Sequence, residues 1–455
     1  MNAVLDRDFV PAAQWHRAYE AEARAARPAA RSVTLGLLRD HQPVARRVYP
    51  VLPADEVMRT FFHIERRLKS LLWAYGGHRI LVDGPADLLQ RLQKHYASSP
   101  TGRFDSLMIG ERIFGTPLTL EATTADTIPE PASDSRPIGR HLDGCRIGFD
   151  LGGSDRKCAA MIDGTVVFSE EVPWNPYFQK DPQYHFDGIM DSLQRAAAHL
   201  PRVDAIGGSA AGVYVKNEVR VSSLFRGVNQ ADFDQHVRGI FHRVRDAWNH
   251  VPFIVINDGD VAALAGAMSL NVNALLGVSM GTSMAAGYVT PEGFLTSWLN
   301  ELAFVPVDYR PDAPADEWSG DLGCAVQFFS QQGVARLACE AGLDFDDNTP
   351  LPDRLLAVQD RMEKGDLAAE RIYTAIGDAF GHTLAHWTKL YTLRHVLILG
   401  RVTSGAGGDL IVARARRRLE IDYPDLAEQI QLHMPNERMK RHGQAVAAAS
   451  LPALS

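Results

Sequence analysis

The chain has 455 residues, 46% of them hydrophobic and 22% charged, the proportions of a folded globular protein of two to four domains at roughly 100–200 residues each. Forty-seven basic against 55 acidic side chains leave a net charge of −8, which excludes a global basic footprint for nucleic acid. Cys145, Cys158, Cys324 and Cys339 include no C-x-x-C pair, so a disulfide scaffold and a zinc knuckle are excluded and a reducing cytoplasm is the simplest compartment.

In chain order, 11–27 is rich in Ala and Glu and predicts a helix. Residues 32–52 alternate as two strands about the turn Asp40-His41-Gln42-Pro43. Residues 56–77 carry apolar side chains at helical spacing and stop at Gly76-Gly77; within them the run Glu65 to Lys69 reads as a solvated helix face. A strand over 78–84 and a helix opening at Pro85 complete an α/β unit, expected as an appendage over 1–120. Residues 121–143 are rich in Pro, Ser, Thr and Asp and read as a linker.

After the linker, apolar strands run into Gly- or Ser-rich turns at 145–153, 203–212, 274–289 and 395–408, while the strand at 252–258 ends in Asn-Asp. Such strands set ligand-binding loops along one edge of an α/β sheet. The uncharged stretch Val261 to Pro291 is interrupted by Ser269, Asn271, Asn273, Ser279, Thr282 and Ser283, side chains too costly in hydrocarbon for a membrane span.

Four loops carry candidate chemistry. In GFDLGGSDRK a strand delivers Asp150, a carboxylate able to hold Mg²⁺ through water, while Gly152, Gly153 and Ser154 allow phosphate oxygens to approach; the plain alternative is a hairpin bend. Gly281, Thr282 and Ser283 repeat that arrangement in GVSMGTSMAAGY. Gly400, Gly405, Gly407 and Gly408 frame a turn into a helix N-terminus suited to adenosine or phosphate, or a bare strand–helix connector. In IVINDGDVAALAGA a carboxylate can serve as general base on a sugar hydroxyl with Asn257 orienting the ring; the plain alternative is helix capping by Asp258 or Asp260.

Taken in order, these motifs resemble the ROK family of sugar kinases and repressors, of the actin-like, hexokinase-like ATPase superfamily, over about 144–451. The resemblance implies an α/β protein with two ribonuclease H-like lobes, each on a mixed five-stranded sheet, a central cleft between them, and the N-terminal α/β appendage in addition. The first lobe would span 144–256 with the closing helix 436–455 returning to it, and the second 257–435. ATP, Mg²⁺ and a sugar would occupy the cleft. Asp258 would be the catalytic base, Asn257, Glu301, Gly208 and Ser209 would serve the sugar, and Asp150 would orient Mg²⁺; Gln327 lies where the family has an acidic residue, as a glutamine that could still reach a sugar hydroxyl. Gly152, Gly153, Ser154, Lys157, Gly281, Thr282, Ser283, Gly400, Arg401 and Gly405 would border the nucleotide. A cytoplasmic homodimer, without membrane or nucleic-acid partners, completes the implied picture.

The chain also departs from the family. Where many members have Glu-x-Gly-His, with a histidine that contacts sugar and binds structural zinc, this sequence has Glu301-Leu302-Ala303-Phe304. Of the zinc cysteines only Cys324 stands, so no zinc is expected. Asp155 would repel phosphates unless Mg²⁺, Arg156 or Lys157 compensates, and Arg401 replaces a usual glycine. The aromatic run Trp298, Phe304, Tyr309, Trp318, Phe328 and Phe329 is compatible with stacking on a sugar, with core packing the plainer reading for each. Three readings follow: an ATP-dependent sugar kinase, a sugar-binding regulator, or a pseudokinase of the same fold.

Overall fold

The computed structural model describes residues 5–26, 31–131, 138–346, 348–435 and 437–454. Residues 132–137 of the expected linker lie outside these, as do 1–4 and 27–30 of the expected appendage and 436 and 455 at the ends of the expected return segment.

The first region runs α1 (Ala12–Ala25), β1 (Arg31–Arg39), β2 (Gln42–Val51), α2 (Val57–Tyr75), β3 (Arg79–Asp83), α3 (Ala86–Ser98), α4 (Pro100–Asp105) and β4 (Thr119–Ala122). Its sheet has the order β2-β1-β3-β4. Asp40 turns the β1–β2 hairpin at φ +53°, a left-handed conformation that Asp adopts more readily than most residues. β4 pairs in parallel with β3, so Glu121 and Ala122 belong to a strand and not to a linker.

α2 corrects an expectation. The run Glu65 to Lys69 is not solvated; every residue from His63 to Tyr75 is buried. A helix covered all round must pair the charges it carries. Lys69 Nζ donates to both oxygens of Asp105 at 3.0 and 2.9 Å and stands 2.9 Å from Asp321. Arg66 Nη1 donates to both oxygens of Asp321 at 3.1 and 3.0 Å. Apolar periodicity predicts the helix, but its second cover comes from chain 255 residues further on.

The chain continues with β5 (Cys145–Leu151), β6 (Asp155–Ile162), β7 (Thr165–Pro173), α5 (Pro182–Ala197), β8 (Ala205–Ala210), β9 (Val213–Val215), β10 (Glu218–Val221), the single turn α6 (Gln230–Asp232), α7 (Ile240–Ala247), β11 (Phe253–Asn257), α8 (Asp258–Leu270), β12 (Leu275–Met280) and β13 (Met284–Val289). There follow α9 (Gln331–Glu340), α10 (Leu351–Glu363), α11 (Leu367–Trp387), β14 (His395–Leu399), α12 (Ala406–Asp422), α13 (Pro424–Ala427), β15 (Gln431–His433) and α14 (Glu437–Ala449).

β11-β8-β5-β6-β7 form a mixed five-stranded sheet, parallel across β11, β8 and β5 and antiparallel across β5, β6 and β7. Ile147, Phe149, Ile206, Phe241 and Phe253 fill its core. α14 packs on β5 and β8 at two glycines: a Cβ on Gly148 would stand 1.8 Å from Ala445 O, and one on Gly207 1.7 Å from Ala448 O. The other sheet, β13-β12-β14-β15, has four strands among the described residues, one fewer than the resemblance implies.

The chain divides into two compact units, one of 1–133, 278–285 and 297–433, the other of 134–277, 286–296 and 434–455. The first region therefore shares a unit with 297–433, through the cover on α2. α8 packs against α14 and so joins the unit of the five-stranded sheet, beyond the expected boundary at 256/257. Among the described residues no helix is long and apolar enough to cross a membrane; the uncharged stretch forms α8 and the β12–β13 hairpin.

Candidate functional site

In the unit of the five-stranded sheet, three parallel strands end near one another, and their ends carry the polar residues. β5 delivers Asp150 and β8 delivers Ser209, whose Cα positions are register partners. Ser209 Oγ donates to Asp150 Oδ1 at 2.6 Å. Both are buried. Ser209 therefore acts on Asp150, and Gly208 is buried within β8 against the Phe149 ring. Burial pushes the Asp150 carboxyl up to about 6; the Ser209 hydrogen bond and Lys157 oppose the rise, and the Asp258 and Asp155 charges add to it.

β11 delivers Asn257 and Asp258 to the start of α8. The cap is Asn257 itself, not Asp258 or Asp260: its Oδ1 accepts from Gly259 N–H at 2.7 Å and its Nδ2 donates to Gly212 O at 2.8 Å. Asp260 is buried and accepts from Tyr288 N–H at 3.3 Å. Asp258 stands at the first helical position, half-buried, with Oδ1 accepting from Gly259 N–H at 3.0 Å. Burial raises its pKa above the usual carboxylate range, against the pull of the helix N–H groups. A crowded carboxylate that still reaches solvent and holds its proton more tightly than usual is suited to accept one.

The first Gly-rich loop is the hairpin between β5 and β6, closed by Gly152 N–H to Asp155 O at 2.9 Å. Trp174 Nε1 braces it from Gly152 O at 2.7 Å, and the Tyr177 hydroxyl lies where a Cβ on Gly153 would stand. Ser154 is exposed at the tip, with Oγ donating to Asp155 at 2.8 Å. Lys157 Nζ stands 3.2 Å from Asp155. Burial would lower its pKa, but Asp150 and Asp155 outweigh burial and hold it charged. Arg156 does not compensate Asp155: it is buried and turned to Ser192 Oγ at 2.6 Å and Gly188 O at 2.9 Å on α5. Mg²⁺ takes few carboxylates and keeps its waters, and Asp150, with more nearby negative than positive charge, fits such an ion.

In the unit that holds β14, Thr282 and Ser283 are exposed at the β12–β13 tip, where Gly281 N–H meets Ser283 O at 2.9 Å and Gly281 O accepts from Gln331 N–H at 2.9 Å. Gly400 takes φ +106° with Met280 O 2.4 Å from where a Cβ would stand, so a side chain there is excluded twice over. Arg401 is exposed, its carbonyl accepting from Gln359 Nε2 at 2.7 Å. Beside Gly405, the first N–H of α12, on Ala406, bonds Glu363 Oε1 at 3.1 Å, an acidic neighbour that the motif alone does not reveal.

Glu301 is half-buried and precedes a short turn through Phe304. Gln327 is buried, with Nε2 donating to Gln332 Oε1 at 2.6 Å. Tyr309, Phe328 and Phe329 are core, whereas Trp318 is 66% exposed. Cys324 donates to Phe304 O at 3.5 Å and Asp321 O at 3.7 Å, and burial pushes its thiol well up. Asp321, its acidic neighbour, is taken by Arg66 and Lys69. A lone thiol beside an ammonium is not a zinc donor set, and among the described residues no three His, Cys, Asp or Glu side chains group to hold a metal.

No protein-family model matches the sequence, and no curated protein matches it. Solved structures do. A ROK hexokinase from Thermus thermophilus is 19% identical with a TM-score of 0.54, over 68% of this chain and 97% of that one. A ROK family glucokinase from Streptomyces griseus, crystallised with glucose and AMPPNP, is 19% identical with a TM-score of 0.51, over 68% and 99%. A ROK family transcriptional regulator, a homologue of the E. coli MLC protein, is 18% identical with a TM-score of 0.54, over 68% and 79%. The fold is thus ROK-like and hexokinase-like, it is shared by kinases and a regulator alike, and the covered share leaves room for an added region.

Proposed function

We propose that this chain, with its ROK-like fold, is a kinase that transfers the γ-phosphoryl group of ATP to a hydroxyl of a sugar or sugar derivative. The observation that carries the reading is Asp258: a crowded carboxylate of raised pKa at the start of α8, flanked by Asn257 and electrostatically coupled to Asp150. In the transfer, the sugar hydroxyl loses its proton to Asp258 as its oxygen bonds to the γ-phosphorus. The bond from that phosphorus to the bridging oxygen breaks, and ADP leaves with the electron pair. Phosphoryl transfer needs positioning and charge neutralisation more than covalent help from the protein.

Asn257, with its side chain fixed by Gly259 and Gly212, orients the sugar, and Glu301 and Gln327 are proposed to hold further hydroxyls. Lys157, Ser154, Gly152 and Gly153 serve the phosphates from the β5–β6 hairpin, and Gly281, Thr282 and Ser283 from the β12–β13 tip. Gly400, Arg401 and Gly405 border the adenosine. Mg²⁺ on Asp150, through water, would neutralise phosphate charge when bound.

The test is phosphorylation of a broad sugar panel coupled to ADP detection. Asp258→Asn is expected to lower turnover by about 10²–10⁴ with the fold and ATP-Mg²⁺ binding retained. Undiminished turnover in that variant excludes Asp258 as base, and ligand binding without turnover on any sugar identifies a regulator or pseudokinase instead.

A further inference from the structure

The first region lies outside the kinase motifs, yet its longest helix ends on the loop that carries Glu301. An α-helix leaves its last four carbonyls without helical partners. In α2 all four are taken. Leu72 O accepts from Gly76 N–H at 2.9 Å, Trp73 O from Glu301 N–H at 3.0 Å, and Ala74 O from Asn300 N–H at 2.9 Å. Tyr75 O accepts from Arg39 Nη2 at 2.8 Å. Two of the four partners are thus consecutive amides of the Glu301 loop, and Asn300 holds φ +53° to present them. Leu299 closes the end of the helix: its Cγ lies 2.5 Å from where a Cβ on Gly76 would stand.

Side chains of α2 hold the same loop and the next one. The Trp73 ring stacks on Phe304 with centroids 4.2 Å apart, and its Nε1 donates to Asp105 Oδ1 at 2.9 Å. One turn earlier, on the same face, Lys69 bonds Asp105 and stands 2.9 Å from Asp321. Asp321 in turn accepts from Leu322 N–H at 2.9 Å and leads within a few residues to the turn Ala325–Gln327. The two loops are also tied to each other, by Ala325 N–H to Val305 O at 3.0 Å. The ammonium and the indole of one helix therefore fix both segments beside Cys324, where the donor set does not fit a metal ion.

We propose that α2 of the first region is the positioning element of the acceptor site, with Lys69 and Trp73 as positioning residues that hold Glu301 and Gln327 in register for the sugar. This rests on the kinase reading above. The first region is then a working part of substrate recognition and not an independent appendage.

The experiment compares the full-length chain with Trp73→Phe, Phe304→Leu and the charge-neutral double variant Lys69→Met/Asp105→Asn, chosen because Lys69→Met alone strands two buried carboxylates. Circular dichroism and melting verify folding. Two readouts follow: amide exchange over 297–330 without ligand, and separate KM values for the best panel sugar and for ATP. Exchange at Asn300 and Glu301 is expected to quicken at least about tenfold, and the sugar KM to rise at least about tenfold, with the ATP KM within about twofold. Unchanged exchange, or equal rises in both KM values, overturns the positioning role. A wild-type chain inactive on the whole panel overturns the kinase reading, while the exchange readout still decides whether α2 holds the loops.

Discussion

Ser209 Oγ donates to Asp150 Oδ1 at 2.6 Å, a bond that favours the ionised carboxylate against its burial. Ser209→Ala removes that support, and Asp150 should then titrate above its present value of about 6, by roughly half a unit to one unit for one hydrogen bond. If Asp150 holds Mg²⁺ as proposed, ATP-Mg²⁺ binding needs the ionised form and should move its pH midpoint upward by the same amount. Calorimetric Kd values from pH 5 to 9 measure this, and coincident midpoints in the two proteins contradict it.

Burial of Asp150 also sets the sign of a stability effect. Its folded value of about 6 lies above the reference 3.8, so the native state binds the proton more tightly and stability falls as pH rises through that window. A rise of roughly two units corresponds to a cost of order 3 kcal/mol above pH 6. Asp150→Asn keeps an acceptor for Ser209 without the charge. Its melting temperature should exceed the wild type's at pH 8 and converge with it near pH 4, and a variant less stable at pH 8 would show the sign to be wrong.

Adjacent basic residues on β6 should behave in opposite ways. Lys157→Met removes the cation beside Asp150 and Asp155 and should weaken ATP-Mg²⁺ binding about tenfold, the effect of about 1.4 kcal/mol. Arg156→Met cuts the tie to α5 and should lower the melting temperature while leaving nucleotide affinity alone. The reverse pattern would reassign the phosphate role to Arg156.

Gly207→Ala places a methyl 1.7 Å from the Ala448 carbonyl. Backbone cannot yield there as a flexible side chain would, so a loss of about 1–3 kcal/mol or more is expected. Denaturant unfolding of the variant measures it, and an unchanged midpoint would mean that α14 shifts freely on the sheet.

Prolonged treatment with a strong chelator should leave the melting temperature unchanged, because charge pairing around Asp321 does the holding beside Cys324. A fall on chelation, restored by Zn²⁺, would reverse that conclusion.

The legibility of this chain in its sequence follows interaction range. Strands ending in Gly-rich turns, the hairpin turn at Asp40, with its positive φ, and the Asn-Asp pair opening α8 are local patterns, and the structure reproduces them. Which residue caps α8 was not legible, since Asn, Asp and Asp all suit the role and only Gly212 O, across the unit's own fold, selects Asn257. Nor was the Ser209–Asp150 bond, which needs the parallel register of two strands 59 residues apart. The Glu65–Lys69 run misled for the same reason: charge density on a helix signals solvent unless distant carboxylates arrive to meet it.

That last feature bears on how the chain is made. Lys69 and Arg66 emerge about 250 residues before Asp321, a delay on the order of 10–50 seconds at typical synthesis rates of about 5–20 residues per second. Throughout that interval Lys69 and Arg66 have Asp105 and Glu65, but not Asp321, to receive them. The nascent first region must therefore wait, half-docked and dependent on keeping its face from other chains, until the ribosome delivers the segment that completes it.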